Sequence, residues 1–207
     1  MSVAGERHIT TSSDGSTTIW VPGLDEHYHS IHGARTESLH VFIEAGLKAT
    51  AAKPVRILEV GLGTALNAQL TFETAKELGV EVQYHAIEKF PITPEEATDL
   101  GEAGMQEALP FLLATPNIPL QFGDSSFTLF VEDLRTFTAE QGTYDLIYFD
   151  AFAPSAQPEL WSDAVFEKIK FGMIKIKIFK KYKLADAKQA HEDLESRKLT
   201  GPAILIP

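Results

Sequence analysis

No cysteine occurs in the 207 residues, which excludes disulfides and thiolate metal sites and fits a reducing compartment. No apolar run approaches the ~20 residues that a membrane-spanning helix needs. The opening MSVAGERHITTSSDGS has no basic-then-apolar export pattern. A soluble, cytoplasmic protein without membrane partners is the expectation. Positive charge is also scarce: residues 1–167 hold 8 Lys and Arg against 25 Asp and Glu. With a net charge of −11 overall, the chain is no general nucleic-acid coat, since phosphate binding needs Lys and Arg. Residues 168–207 reverse the balance, with 10 basic against 4 acidic side chains. So sharp a change suggests two origins or two jobs.

What is present suits one sizeable core: 44% hydrophobic and 23% charged residues are ordinary for a globular chain. Thr17-Thr18-Ile19-Trp20 suggests a short strand, and Leu39, Phe42, Ile43, Gly46 and Leu47 share one face of a helix expected over 34–49. After Pro54, strands and helices alternate. Strands are expected at 55–60, 82–87, 127–131 and 144–149, and helices at 65–78, from Pro94, and over 158–168. Gly79 would end the second helix, and Thr93 with Glu96 forms a capping-box pattern ahead of the third. Such alternation predicts a three-layer α/β fold with a mostly parallel sheet. In the tail, strands at 173–179 and 203–206 flanking a helix over 184–198 would extend that sheet in parallel through a right-handed crossover. The expected organisation is an N-terminal extension (1–53), a core (54–170) and a strand-helix-strand segment (171–207) completing the sheet.

Glu59-Val60-Gly61-Leu62-Gly63-Thr64 stands where the first strand of the core passes into a helix. Parallel sheets bind ligands at the carboxyl ends of their strands, and glycines there allow close backbone approach. Leu66 occupies the place of the third glycine of the dinucleotide fingerprint. A loop around a nucleoside with a charged arm is therefore favoured over a pyrophosphate cradle. Glu88 ends the second strand, where a carboxylate can accept both ribose hydroxyls; Glu132-Asp133 and Asp150 end the next two. Any one of these acids could be a helix cap or a solvated turn. Together on one rim they suit a cationic sulfonium ligand with a ribose diol. Asp150-Ala151-Phe152-Ala153-Pro154, followed by Pro158 and Trp161, builds a stiff loop over the same crevice.

These blocks, with Asp25-x-x-Tyr28-x-Ser30, Gly33-x-x-x-Glu37-Ser38, Thr64-x-x-Asn67 and Glu88-Lys89-Phe90-Pro91, resemble the MnmC/MnmD-type tRNA methyltransferases over about residues 10–170. That family methylates the primary amine of 5-aminomethyl-2-thiouridine at the wobble position of tRNA. The resemblance implies a Rossmann-like class I methyltransferase fold, S-adenosylmethionine as cofactor and tRNA as partner. It implies that Glu59, Gly61, Gly63 and Thr64 line the methionine arm, that Glu88 holds the ribose, and that Asp133 lies on the adenine side. Asp150 would face the acceptor amine as the catalytic residue, with Tyr28, Phe152 and Pro154 shaping the nucleobase pocket.

The tail departs from this pattern. Tyr182-x-Leu184-x-Asp186-Ala187 through Gly201-x-x-Ile204-Leu205-Ile206-Pro207 is similar to the C-terminal end of zinc-independent quinone oxidoreductases. With the charge step, this suggests a chimera joined around 168–175. The alternative function is then a protein that keeps a nucleoside pocket without turnover. A nicotinamide-dependent reductase is disfavoured by the missing glycine. His27 and His29, two apart on an extended segment, could ligate zinc. Without cysteine or a third ligand, exposed rim positions are preferred for them and for His32 and His40, and no metal is expected. His191 has a surface-type helical position. The Lys run over 168–183 suits a solvated strand face that blocks edge pairing.

Overall fold

The computed structural model describes residues 6–29, 33–100, 105, 108–170, 180–183, 186–189, 193, 196 and 203–206. The chain divides into two compact units, Met1–Ile174 and Lys175–Pro207.

The first unit opens with a small antiparallel sheet of β1 (His8–Thr11), β2 (Thr17–Val21) and β3 (Glu26–His27). The helix expected over 34–49 is realised in three pieces. Regular helix α1 (Ala34–Ser38) widens into π-type turns over Leu39–Glu44 and tightens to a 3₁₀ turn at Leu47–Ala49. Its apolar face is as anticipated, with Ile43 and Leu47 buried and Leu39 and Phe42 packed against the core.

The central sheet has five strands. β4 (Val55–Val60), β5 (Val82–Ile87), β7 (Ser125–Phe130) and β8 (Leu146–Phe149) run parallel. β6 (Leu120–Phe122) adds an antiparallel edge, so the order is β6-β7-β5-β4-β8. The helices are α2 (Leu66–Leu78), α3 (Pro94–Asp99), α4 (Ala108–Ala114) and α5 (Asp163–Lys168), with a 3₁₀ turn at Pro158–Leu160 before α5. Gly79 closes α2 in the left-handed conformation, and both halves of the Thr93/Glu96 capping box form. Adjacent residues of the buried strands point to opposite layers: Ile57 joins the cluster beneath α1 and α2, and Leu58 joins Leu134, Tyr144 and Val165 on the other face. This is the three-layer, mostly parallel α/β arrangement anticipated above.

Among the parallel strands, β4 comes first in sequence and lies in the middle, with β5 and β7 on one side and β8 on the other. The chain reverses its direction of travel between β4 and β8, and at such a switch point the strand ends part to leave a crevice. β4 pairs with β8 so that Val60 faces Phe149. The residues just beyond, Gly61 and Asp150, are therefore brought together.

In the second unit, β9 (Lys180–Lys183) and β10 (Ala203–Ile206) pair in parallel as a two-stranded sheet of their own. The Tyr182 hydroxyl donates to Asp193 at 2.6 Å, and Gln189 donates to the same carboxylate at 3.0 Å. The strand expected at 173–179 and most of the helix expected over 184–198 lie outside the described residues, as do Ser30, His32 and His191.

Candidate active site

The turn after β4 is backbone-dictated. Gly61 has φ +86°, and a Cβ there would fall 2.5 Å from the Asp150 carbonyl oxygen. Gly63 has φ +54°, with the Tyr28 ring 3.2 Å from where its Cβ would stand. Any side chain at Gly61 would push the β4 and β8 turns apart, so glycine is required for the crevice to close. The Leu62 and Gly63 amides of this turn are tied to the residue after β5. Glu88 Oε2 accepts from Leu62 N at 3.1 Å and Gly63 N at 3.5 Å, while Oε1 accepts from Phe90 N at 2.9 Å. A carboxylate has about four acceptor positions, so with three taken Glu88 keeps about one for a ligand hydroxyl.

These turns line a cleft, partly open to solvent, that includes Tyr28, Gly61, Gly63, Glu88, Asp133 and Asp150. A second cleft, about 1240 Å³ and open to solvent, adjoins it and is lined by Asp25, Glu26, Glu37 and Phe42 among others. Tyr28, His29, Asp150, Ala151 and Phe152 border both. The two sequence-predicted pocket aromatics meet there, Tyr28 against Phe152 edge-on with centroids 5.3 Å apart. Phe152 is fixed from behind: Gln157 Oε1 accepts from its amide at 3.1 Å, and Trp161 Nε1 donates to its carbonyl at 2.7 Å. The stiffness expected of this loop therefore has a hydrogen-bonded cause.

Not every anticipated residue lines the clefts. Glu59 and Thr64 are 0% and 1% exposed and lie beneath the glycine turn. Pro154 is exposed and borders neither cleft. Asp133 faces the first cleft but is held by Lys89 at 2.9 Å and Arg135 at 2.6 Å. The Arg135 hydrogen bonds, then Lys89, hold its carboxyl well below the usual carboxylate range.

Asp150 is governed differently. Its Oδ2 accepts from Asn67 Nδ2 at 2.7 Å, and no Lys or Arg pairs with it among the described residues. Burial pushes its carboxyl up to about 6 against the opposing pull of the Asn67 hydrogen bond, with nearby Glu37 adding to the rise. Its side chain still keeps 27% exposure toward the clefts. Glu59, on β4 below, is raised well above the carboxylate range by burial and by Asp150.

One neighbour the sequence reading misplaced is His29. It is not an exposed rim residue: its side chain is 6% exposed, with Nδ1 4.0 Å from Asp150 Oδ2. Nε2 lies 2.8 Å from Thr64 Oγ1. Burial lowers its pKa to about 4, so the ring is neutral near pH 7. No local pattern distinguishes it from His27; only the fold of the segment after β3 turns one ring inward. Among the described residues, no group of three or more His, Asp or Glu side chains could hold a metal ion. No described helix is long and apolar enough to cross a membrane.

Comparison with known proteins agrees with this geometry. Residues 95–187 match a family described as S-adenosyl-L-methionine-dependent methyltransferase. That span runs through residues 168–175, where the sequence suggested a join. The chain is 31% identical over 167 residues to the tRNA 5-methylaminomethyl-2-thiouridine biosynthesis bifunctional protein MnmC of Leptospira interrogans, covering 72% of this chain and 26% of that protein. The MnmC of Magnetococcus marinus is 33% identical over 172 residues, covering 73% of this chain and 25% of the relative. The chain thus spans about a quarter of the length of these curated relatives. The crystal structure of MNMC2 from Aquifex aeolicus superposes with a TM-score of 0.56 at 29% identity, covering 80% of this chain and 55% of that one. By fold, by the arrangement of its strand ends and by these matches, the chain is a relative of the MnmC/MnmD-type S-adenosyl-L-methionine-dependent methyltransferases.

Proposed function

We propose that this chain transfers a methyl group from S-adenosylmethionine to the primary amine of an aminomethyl-uridine at the wobble position of tRNA, and so acts in the cytoplasm. The lining of the first cleft suits that cofactor. Gly61 and Gly63 leave room for close approach, Glu88 keeps an acceptor position for a ribose hydroxyl, and Asp133 with Lys89 lines the same cleft. When bound, S-adenosylmethionine supplies an activated sulfonium methyl; the protein's task is alignment and a neutral nucleophile. Glu59 and Thr64 support the turn from beneath instead of touching the ligand.

The observation that carries the reading is Asp150 at the seam of the two clefts, uncompensated by any described cation and pushed up to about 6. An alkylamine has a pKa of roughly 10 and arrives protonated. Asp150, ionised near neutrality, can accept that proton before attack, freeing the nitrogen lone pair that forms the new C–N bond as the methyl–sulfur bond breaks. Asp25, Glu26 and Glu37 line the second cleft, with no Lys or Arg among its described lining residues. Such a surface favours a cationic acceptor group. Tyr28 and Phe152 present aromatic surface for a base beside it.

The test is transfer of label from S-adenosylmethionine to tRNA lacking this modification, alongside calorimetry with S-adenosylhomocysteine. Binding with transfer is expected. Binding without transfer to any such tRNA would leave a nucleoside pocket without turnover, and heat with NADPH alone would overturn the assignment.

A further inference from the structure

Asn67 lies in the first turn of α2, is 2% exposed and touches neither cleft. Its Nδ2 donates to Glu59 Oε1 at 2.9 Å and to Asp150 Oδ2 at 2.7 Å. An amide nitrogen has two N–H groups, and both are directed at carboxyl oxygens. The reverse orientation would set Oδ1 against the Asp150 carboxylate oxygen, so the amide's direction is determined by its surroundings. Asn67 Oδ1 is buried without a hydrogen-bond partner, and Glu59 and the buried Tyr84 hydroxyl adjoin each other without a bond of normal geometry. Buried polar atoms are normally satisfied, and exceptions call for a reason.

We propose that Asn67 is a positioning residue for the acceptor chemistry, anchored on buried Glu59 and holding the Asp150 carboxylate at the seam of the two clefts. The inference rests on the reading of Asp150 as the group that meets the amine. Asp150 is faced by His29 from the segment after β3, Glu37 from α1, Glu59 from β4 and Tyr84 from β5. Two of these are further acids, and neutral His29 offers no charge. The Asn67 N–H is then the direct donor that favours the ionised form of Asp150. Without it, Asp150 stays protonated to higher pH and loses its fixed direction. At a pH where wild type is ionised, the amine would meet an acid instead of a base.

The experiment compares wild type with Asn67→Ala and the milder Asn67→Ser, each first checked by thermal melting to be folded at the assay temperature. The Asp150 carboxyl is followed by 13C NMR titration and identified by its loss in Asp150→Asn. The kcat–pH profile is recorded on unmodified tRNA. In Asn67→Ala the Asp150 midpoint and the acid limb of kcat should move upward together by about one to two pH units, as expected for a lost charged hydrogen bond. Asn67→Ser should move them less, and KM for S-adenosylmethionine should stay within about twofold. An unmoved titration, or a uniform rate loss at every pH with the acid limb in place, would overturn the proposal and leave Asn67 structural. If wild type methylates no tRNA, the functional reading fails, and the NMR midpoint alone decides whether Asn67 controls Asp150.

Discussion

The two rims of the first cleft carry the same kind of residue in opposite electrostatic states. On the β5–β7 rim, Asp133 is clamped by Lys89 and Arg135 and lowered below the ordinary carboxylate range. On the β4–β8 rim, Asp150 and Glu59 have one shared amide, no described cation and raised pKa values. Both are acids at strand ends, so position in the topology does not set the role; the neighbours do. A compensated carboxylate is a fixed anion suited to binding. An uncompensated one near neutrality can exchange a proton, the property a general base needs.

The largest test of this contrast is Asp150→Asn. If Asp150 takes the amine's proton, methyl transfer should fall by roughly 100- to 10,000-fold while S-adenosylhomocysteine affinity holds within a few-fold. Asn caps and turns about as well as Asp, so unchanged turnover would remove Asp150 from the chemistry. Next, Glu88→Ala should weaken S-adenosylhomocysteine binding by about 1–3 kcal/mol, read by calorimetry. The variant loses ligand contacts and also the tie that holds the Leu62 and Gly63 amides. Equal binding by wild type and variant would place the ribose elsewhere.

A third test concerns stability. The folded pKa of Asp150 is raised from 3.8 to about 6, so the native state binds its proton more tightly than the unfolded chain. Stability from this group is complete below the unfolded value and is lost as pH rises through about 6. Asp150→Asn removes the ionisation and still accepts from Asn67. It should therefore be more stable than wild type at pH 8 by about 1–2 kcal/mol, a figure discounted for the partial exposure of the side chain. Near pH 4 the two should melt alike, and denaturant titrations at both pH values decide it. A variant less stable at pH 8 would show that the carboxylate is compensated after all. The smallest effect is expected on the opposite rim: Asp133→Asn should leave kcat within about twofold and reduce the salt dependence of cofactor binding. A collapse of turnover there would erase the distinction between the rims.

Several elements were legible because local chemistry fixes them. The glycine turn, the Thr93/Glu96 box, the Gly79 stop and the β4 and β5 spans appear where expected. α4 and β6 carried no comparable signal, being short and lacking a complete apolar period. The 34–49 helix was legible by its face but not by its winding. Within the site, Asp150, Gly61 and Glu88 could be singled out because strand order makes strand ends converge. Asn67 belonged to a recognised spacing without an assigned role, and His29 looked like any rim histidine.

The sequence by itself determined the alternation of strands and helices, and with it the rim on which the acids collect. Periodicity, caps and glycines act over a few residues and leave their mark locally. Only the tertiary structure decided which acids are compensated. That depends on whether Lys89 and Arg135 reach Asp133, and whether Asn67 reaches across 83 residues of sequence to Asp150. Desolvation and hydrogen bonding are properties of neighbourhoods in space, and no local pattern encodes them.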